Sequence, residues 1–195
     1  MATLPPDTRR LAEAHRARQQ TLALLLAREI SGLWARLSPA SFSTVWGRIA
    51  PRVKTLMTAA QLEAARGAQD YVSGQLTLQG ITPDPVGIVP VRAFAGIASD
   101  GRDLDTLLSY PIFEVGAFVR EGMPAAKALD IGERHLNRIA VTQVADAARV
   151  STGVAIASDR KTTGWVRMLT PPSCSRCVVL AGRWYRWNAG FARHP

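Results

Sequence analysis

Apolar residues in the N-terminal third recur at steps of three and four, and this spacing constrains the fold more than any other feature. Between residues 8 and 37 they are Leu11, Leu22, Leu25, Leu26, Ile30, Leu33, Trp34 and Leu37. Such a period predicts one long amphipathic helix whose apolar stripe is buried. Pro5-Pro6-Asp7 is a helix-start signal, and Ser38-Pro39 is expected to end this helix and to cap the next one.

A second helical pattern covers residues 41–79. Its stripe comprises Phe42, Val45, Trp46, Ile49, Val53, Leu56, Met57, Ala60 and Leu62. Pro51 is predicted to break or kink the helix near Ala50, because proline removes a backbone donor. Gly80 is expected to end the run, and the proline-rich stretch 81–91 (ITPDPVGIVPV) is predicted to be an extended connection.

The C-terminal half begins with three more helical patterns. Residues 103–109 and 112–121 indicate short helices separated by Pro111, and Gly122 ends the second. Pro124 then opens a long helix to about residue 157, in which Gly132 and Gly153 are predicted weak points. After residue 161 the pattern changes to strand, tight knuckle and strand.

These patterns predict a mainly α-helical protein, an elongated helical bundle with a small C-terminal β-hairpin or knuckle. The predicted parts are an N-terminal helical arm (1–80), an extended linker (81–91), a central helical domain (92–160) and the C-terminal hairpin with its C-x-x-C knuckle (161–195). A chain of 195 residues supports one ordinary core, with or without an extended arm. The abrupt end at Pro195 leads us to expect that the hairpin segment is truncated.

Charge is distributed unevenly along the chain, whose net charge is +9. Residues 1–66 carry 10 basic and 4 acidic side chains, residues 67–158 carry 7 and 10, and residues 159–195 carry 7 and 1, giving +6, −3 and +6. Basic ends are typical of proteins that meet polyanions or acidic partner surfaces, although a solvated arginine-rich surface has the same composition. The candidate contact residues are Arg9, Arg16, Arg18, Arg28, Arg183 and Arg186.

The sequence contains no recognisable catalytic constellation. His15 and His135 lie in helical patterns next to arginines, outside any nucleophile, zinc-protease or phosphate-loop motif. Asp100, Asp103 and Asp105 are interpreted as a helix-start cluster in preference to a metal site. We therefore expect a non-enzymatic protein, made in a reducing cytoplasm, with no signal peptide and no membrane-spanning helix.

Cys174 and Cys177 are the two cysteines of the chain, and their C-x-x-C spacing is half of a zinc-ligand set. His194 is the third candidate ligand, and zinc is expected only if the chain continues beyond Pro195. Alternatively, the cysteines are a pair of reduced buried thiols. The nearby aromatic residues are expected to form a small core with an arginine rim, and they are Trp165, Trp184, Tyr185 and Trp187.

The run GWVRMLTPPSCSRCVVLAGRWYRWNAGFARHP resembles the C-terminal signature of Mu F-like head morphogenesis proteins, minor capsid proteins of tailed bacteriophages, particularly those of actinobacteria. In that signature a C-x-x-C, an L-A-G or L-x-G-R segment with an aromatic residue, and an H-P-x-C-x-C-type element follow one another. The matching residues are Cys174, Cys177, Leu180 to Arg183, Trp184, His194 and Pro195. The cysteines expected after His-Pro are missing.

The resemblance implies a structural role in head morphogenesis and DNA packaging, inside the virion, with host cytoplasm as the place of assembly. The implied partners are the portal or the major capsid protein, together with packaged DNA through non-specific electrostatics, and no membrane. Two alternatives stay open. The chain could be a basic helical nucleic-acid-binding module, or the N-terminal assembly domain of a longer capsid protease or toxin fusion.

Overall fold

The computed structural model describes residues 4–169 and 173–189, and it is mainly α-helical with one two-stranded antiparallel hairpin near the C-terminus. This confirms the predicted fold class. The elements are α1 (Pro6–Trp34), α2 (Phe42–Arg66), α3 (Ala68–Thr77), a 3-10 turn (Val91–Phe94), α4 (Leu104–Arg120), α5 (Ala125–Ser158), β1 (Gly164–Val166), α6 (Ser175–Leu180) and β2 (Trp184–Arg186).

Glycines end two of the helical segments at the positions that the sequence predicts. Gly80 and Gly122 both adopt left-handed backbone conformations, with φ of 73° and 90°. After α3, the Ile81 amide donates to the Leu76 carbonyl at 3.0 Å, and after α4 the Met123 amide donates to the Phe118 carbonyl at 2.9 Å. These six-residue closures satisfy carbonyls that the helix ends leave free.

The two internal prolines do not break their helices, so the predicted separation of two helices at Pro111 is wrong, and of the predicted break or kink at Pro51 the break is wrong. α2 continues through Pro51, and α4 continues through Pro111. Each proline removes one backbone donor, but the helices bury large apolar faces on both sides of it. Ile49 and Val53 are buried around Pro51, and Pro111 is itself buried in α4. The break within 41–79 lies instead at Gly67, between α2 and α3.

By its internal contacts the chain forms two compact units, each made of segments that are distant in sequence. The first comprises residues 1–16, 67–89 and 149–195, and the second comprises residues 17–66 and 90–148. α1 and α5 contribute residues to both units, and the hairpin belongs to the first. The extended connection between α3 and the 3-10 turn includes one crossing between the units, at residues 89–90.

The second unit holds the main apolar core, to which α1, α2, α4 and α5 all contribute. Leu26, Ile30 and Trp34 of the predicted α1 stripe are buried, whereas Leu25 is 52% exposed, so the prediction is wrong at that position. The Trp34 indole donates to the Leu129 carbonyl at 3.1 Å. Its ring also lies against Gly132, where an added Cβ would come within 2.8 Å of the ring. Gly132 is therefore a close-packing position, not a weak point.

Buried glutamines fix the loop that precedes α4. The Gln61 side chain accepts from the Gly96 amide at 2.9 Å and donates to the Ile97 carbonyl at 2.9 Å. The Gln143 side chain accepts from the Ser99 amide at 2.8 Å. Because a buried amide side chain is stable only when its hydrogen bonds are made, these contacts hold the loop in one conformation.

The first unit is joined by side-chain hydrogen bonds to backbone groups. Gln75 of α3 donates to the Thr8 carbonyl of α1 at 2.8 Å. Asp159, which is buried, accepts from the Asp84 amide at 3.0 Å and from the Lys161 amide at 2.8 Å. The carboxylate thus connects the extended connection to the chain that leaves α5 and leads into the hairpin.

Candidate functional site

The C-terminal hairpin is a short antiparallel ladder built around one aromatic pair. Trp165 of β1 lies opposite Tyr185 of β2, and their rings stack with centroids 4.4 Å apart. The Trp187 amide donates to the Thr163 carbonyl at 3.2 Å, which extends the pairing by one step. Cross-strand aromatic pairs are the contacts that most stabilise a ladder this short.

Gly164 gives the hairpin room for a second aromatic contact. A Cβ at Gly164 would lie 2.5 Å from the Trp184 indole and 2.2 Å from the Tyr185 carbonyl oxygen. Real Cβ atoms do not come so close, so the Trp184 ring covers a position that only glycine can occupy. Gly164 in the predicted strand GWV is therefore required for the close packing of the Trp184 ring and the Tyr185 carbonyl against this position.

The connection between the strands contains a helix, which corrects the predicted strand–knuckle–strand pattern. Ser175–Leu180 is helical, and Cys174 is its N-cap, whose sulfur accepts from the Cys177 amide at 3.4 Å. The β-branched Val178 and Val179 favour a strand in isolation, but the cap satisfies a free amide of the helical turn. The second strand is accordingly limited to Trp184–Arg186.

The described residues supply two of the ligands that were predicted for zinc. Cys174 is exposed and Cys177 is half-buried. His194 lies outside the described residues. Within 4–169 and 173–189 no group of three or more His, Cys, Asp or Glu side chains is placed to hold a metal ion. Because tetrahedral zinc takes four ligands, the described residues alone do not fit a zinc site.

The predicted aromatic core is in part an exposed aromatic surface. Trp165 and Tyr185 pack on each other, but Trp184 is 55% exposed and Trp187 is 47% exposed. Arg183 and Arg186 on either side of Trp184 are exposed as well. By the alternation of a strand, Trp184 and Arg186 lie on the same face of β2. We call the residues Arg183, Trp184, Arg186 and Trp187 the Trp–Arg surface.

The four arginines predicted as contacts on α1 are all exposed. Arg9 and Arg16 belong to the first unit with Arg183 and Arg186, whereas Arg18 and Arg28 belong to the second. Four of the six predicted contact residues are therefore in the unit that contains the hairpin.

The histidines and the acidic turn have structural surroundings. His15 stacks on Tyr71 with ring centroids 4.1 Å apart. The His135 Nδ1 lies 2.5 Å from a carboxylate oxygen of Glu114. Asp103 caps α4 by accepting from the Asp105 amide at 2.9 Å, which confirms the helix-start interpretation.

Arg102 stabilises the charged form of a neighbouring carboxyl in that turn. Its guanidinium donates to Asp100 at 2.6 Å and 2.8 Å, and these hydrogen bonds hold the pKa of the Asp100 carboxyl below its usual value. The same guanidinium lies over the ring of Tyr110, 5.2 Å from its centroid. Both contacts fix Arg102 on the surface.

Sequence reasoning missed a cavity of about 220 Å³ beside the hairpin, within the first unit. Its walls include Thr8 of α1, Tyr71 and Gln75 of α3, and Trp165 and Trp184 of the hairpin. Tyr71 offered one signal, since it is an aromatic residue in the second helical pattern but lies outside the stripe that ends at Leu62. The pairing of that helix with the hairpin depends on tertiary contacts that no local pattern contains.

No described helix is long and apolar enough to cross a bilayer. Comparison with protein-family models, with curated proteins and with solved structures finds no significant match to this chain.

Proposed function

We propose that this protein is a structural minor capsid protein of a tailed bacteriophage, of the Mu F-like head morphogenesis type, and that it is not an enzyme. It acts inside the head, near the portal and the packaged DNA. The observation that carries the proposal is the C-terminal sequence motif. In it Cys174, Cys177, the segment Leu180 to Arg183 and Trp184 follow one another in the same order as in the family signature.

The surface chemistry of the hairpin supports an assembly role. Exposed tryptophan and arginine side chains are the residue types most enriched at the energetic centres of protein interfaces. Trp184 and Trp187 are both about half exposed, next to two exposed arginines. A protein that docks on a portal or an inner shell needs such a surface, whereas an isolated monomer gains nothing from exposing it.

The arginines also support contact with an anionic partner during assembly. The six predicted contact residues are exposed, and they can neutralise phosphates or acidic coat residues. Such contacts release counterions without reading bases, so they place no demand on the sequence of the DNA. Docking through helix faces and the Trp–Arg surface, with electrostatic contact to DNA, is the mechanism that we propose.

The net charge of +9 favours one rival function, a basic nucleic-acid-binding module with no capsid role. That function leaves the exposed tryptophans unexplained, because duplex DNA offers them no free base to stack on. Measurement of DNA binding over a series of salt concentrations gives the electrostatic contribution to the affinity directly. On duplex DNA the log–log slope is about −0.9 for each phosphate neutralised, and sequence-selective binding that is insensitive to salt would contradict both functions.

A deletion experiment tests the proposal. The gene is deleted from the phage that encodes it, and the host supplies either the wild-type chain or the double variant Trp184→Ala/Trp187→Ala. We expect the deletion to abolish infectious heads, the wild-type chain to restore them and the double variant to restore few. Phe113→Ala is the matched control, because Phe113 is also an exposed aromatic residue but lies on α4, which carries none of the predicted contact residues. Normal yields of infectious virions without the protein would refute the proposal.

A further inference from the structure

We propose that the cavity beside the hairpin is a docking pocket for one leucine-sized side chain, carried by an acidic segment of a partner protein. The inference rests on the geometry and charge of the first unit. It holds or fails independently of the assignment to a phage head, because its test uses the purified chain.

The size of the cavity favours a single side chain over a cofactor. Its volume is about 220 Å³, whereas pockets for drug-sized ligands and cofactors measure about 300–1,000 Å³. A cavity of about 150 Å³ is enough for a guest the size of benzene. The pocket is therefore large enough for one leucine or phenylalanine side chain and too small for a nucleotide.

The walls of the pocket favour an apolar guest. Val72, Leu76, Ile156 and Met168 contribute aliphatic surface, and Trp165 and Trp184 contribute aromatic surface. Burial of a leucine side chain against such walls removes apolar area from water, which is the main source of affinity in protein docking.

Three polar side chains in the walls, those of Thr8, Gln75 and Gln79, already form hydrogen bonds within the unit, whereas Thr162 Oγ1 is buried without a hydrogen-bond partner. The Thr8 hydroxyl donates to the Pro5 carbonyl at 2.7 Å, and Gln75 donates to the Thr8 carbonyl at 2.8 Å. Gln79 donates to the Gln75 carbonyl at 2.9 Å. Burial raises the pKa of the Tyr71 phenol, so this wall carries no charge near neutral pH. Apart from Thr162, the polar side chains named here are already paired with backbone groups, so the walls favour an apolar guest over a polar one.

The positive charge beside the pocket indicates that acidic residues of the partner flank the partner's apolar side chain. Residues 160–189 contain six basic side chains and no Asp or Glu. Arg183 and Arg186 are exposed on either side of Trp184, which lines the pocket. A partner whose apolar side chain enters the pocket meets these guanidinium groups at its flanks, so carboxylates there are attracted and lysines are repelled.

A nucleic acid fits these observations less well than an acidic peptide. Phosphates would use the arginines, but neither phosphates nor sugars fill a mainly apolar pocket, and a base stacks on an exposed aromatic face without needing a pocket. Protein partners combine an apolar anchor with charged flanks as a rule.

Two labelled peptides test the proposal on the full 195-residue chain. Fluorescein-labelled Asp-Glu-Leu-Glu-Asp and Asp-Glu-Ala-Glu-Asp differ only in the side chain for the pocket, and their affinities are measured by fluorescence anisotropy. We expect the leucine peptide to bind about tenfold more tightly, since the apolar burial it adds is sufficient for that factor. Equal affinities of the two peptides would overturn the proposal.

Variants separate the pocket from the charge. Ala12→Phe fills the pocket from α1 and should reduce the tenfold preference to less than twofold, while circular dichroism verifies the fold. Trp184→Ala, at a half-exposed position, removes a wall and should have the same effect. Arg186→Glu should weaken both peptides and keep their ratio, whereas Arg48→Glu, an equal change of charge on α2 in the other unit, should leave both unchanged.

Two further outcomes would contradict the proposal. One is a tenfold preference that survives in both Ala12→Phe and Trp184→Ala, because the leucine side chain would then bind elsewhere. The other is a 12-nucleotide single strand that binds more tightly than the leucine peptide and displaces it from the Trp–Arg surface. That result would assign the surface to nucleic acid.

Discussion

Replacement of Gly132 by alanine should destabilise the protein, although alanine is the better helix former. The added Cβ would lie 2.6 Å from Val115 Cγ2 and 2.8 Å from Trp34 Cζ2. Both side chains are almost fully buried in the core of the second unit, with Val115 at 0% and Trp34 at 3% exposure. Neither can move aside without displacing its own neighbours.

Two opposing effects decide whether Gly132→Ala raises or lowers the free energy of unfolding. Alanine gains about 1 kcal/mol over glycine in a helix interior, while overpacking of a dense core costs about 1–3 kcal/mol. Because two contacts fall well below 3 Å, we expect a cost of about 3 kcal/mol and a net loss of about 2 kcal/mol in the free energy of unfolding. Gly32→Ala and Gly47→Ala are matched controls, since a Cβ at either helical position meets nothing within 4 Å.

Urea denaturation of the three variants provides the measurement. The transition midpoint should fall for Gly132→Ala and rise for the two controls, with an unchanged dependence on urea concentration. If Gly132→Ala is as stable as the controls, then Trp34 does not pack over Gly132, and the packing of α1 against α5 described above is wrong.

Three further changes test other parts of the fold. Leu26→Asp should lower the free energy of unfolding in urea by about 3–4 kcal/mol, because it buries an unpaired charge. Leu25→Asp, at a half-exposed neighbour, should change it by less than about 0.5 kcal/mol. Similar losses in the two variants would refute the assignment of the buried face of α1. Asp103→Ala should cost about 1 kcal/mol through loss of the α4 cap, and Asp103→Asn, which keeps the cap, should cost a few tenths; an equal loss would mean that charge matters and the cap does not. Because the pKa of Asp100 is lowered in the folded protein, its ionised carboxyl stabilises the fold at pH values above its ordinary pKa of 3.8, and this stabilisation is lost as pH falls through the folded-state pKa. Asp100→Asn should therefore flatten the fall in the urea midpoint below about pH 4. An unaltered pH profile would contradict the ion pair with Arg102.

Helix ends were predictable where the determining chemistry is local. Gly80 and Gly122 adopt a left-handed conformation that side chains disfavour, Asp103 accepts from two amides of its own helix, and Pro124 directly precedes α5. Each of these signals acts on the backbone within a few residues of itself, so the local sequence alone determines where the helix begins or ends.

The prolines show where local chemistry is overridden. Pro51 and Pro111 each remove one hydrogen bond, and the sequence pattern predicts an interruption at both. The burial of Ile49, Val53 and Pro111 itself in helices that pack on distant segments offsets that loss. The size of this offset depends on which segments meet, and no local pattern contains that information.

The candidate site combines both situations. The stacking of Trp165 on Tyr185 could be expected from their aromatic strands, but α6, with Cys174 as its N-cap, occupies the first part of the second predicted strand. The cavity beside the hairpin requires α1, α3 and both strands together. Residues 8, 71 and 184, which line it, are far apart in the chain, so the pocket could be recognised only in three dimensions.

The copy number of the protein in purified virions tests the central claim most directly. Quantitative mass spectrometry, with the major coat and portal proteins as internal standards, should find the chain protected from external protease inside DNA-filled heads. It should be present in few copies, on the order of the portal and not of the coat. Absence from the virion, or a copy number comparable to that of the major coat protein, would contradict the assignment as a minor capsid protein.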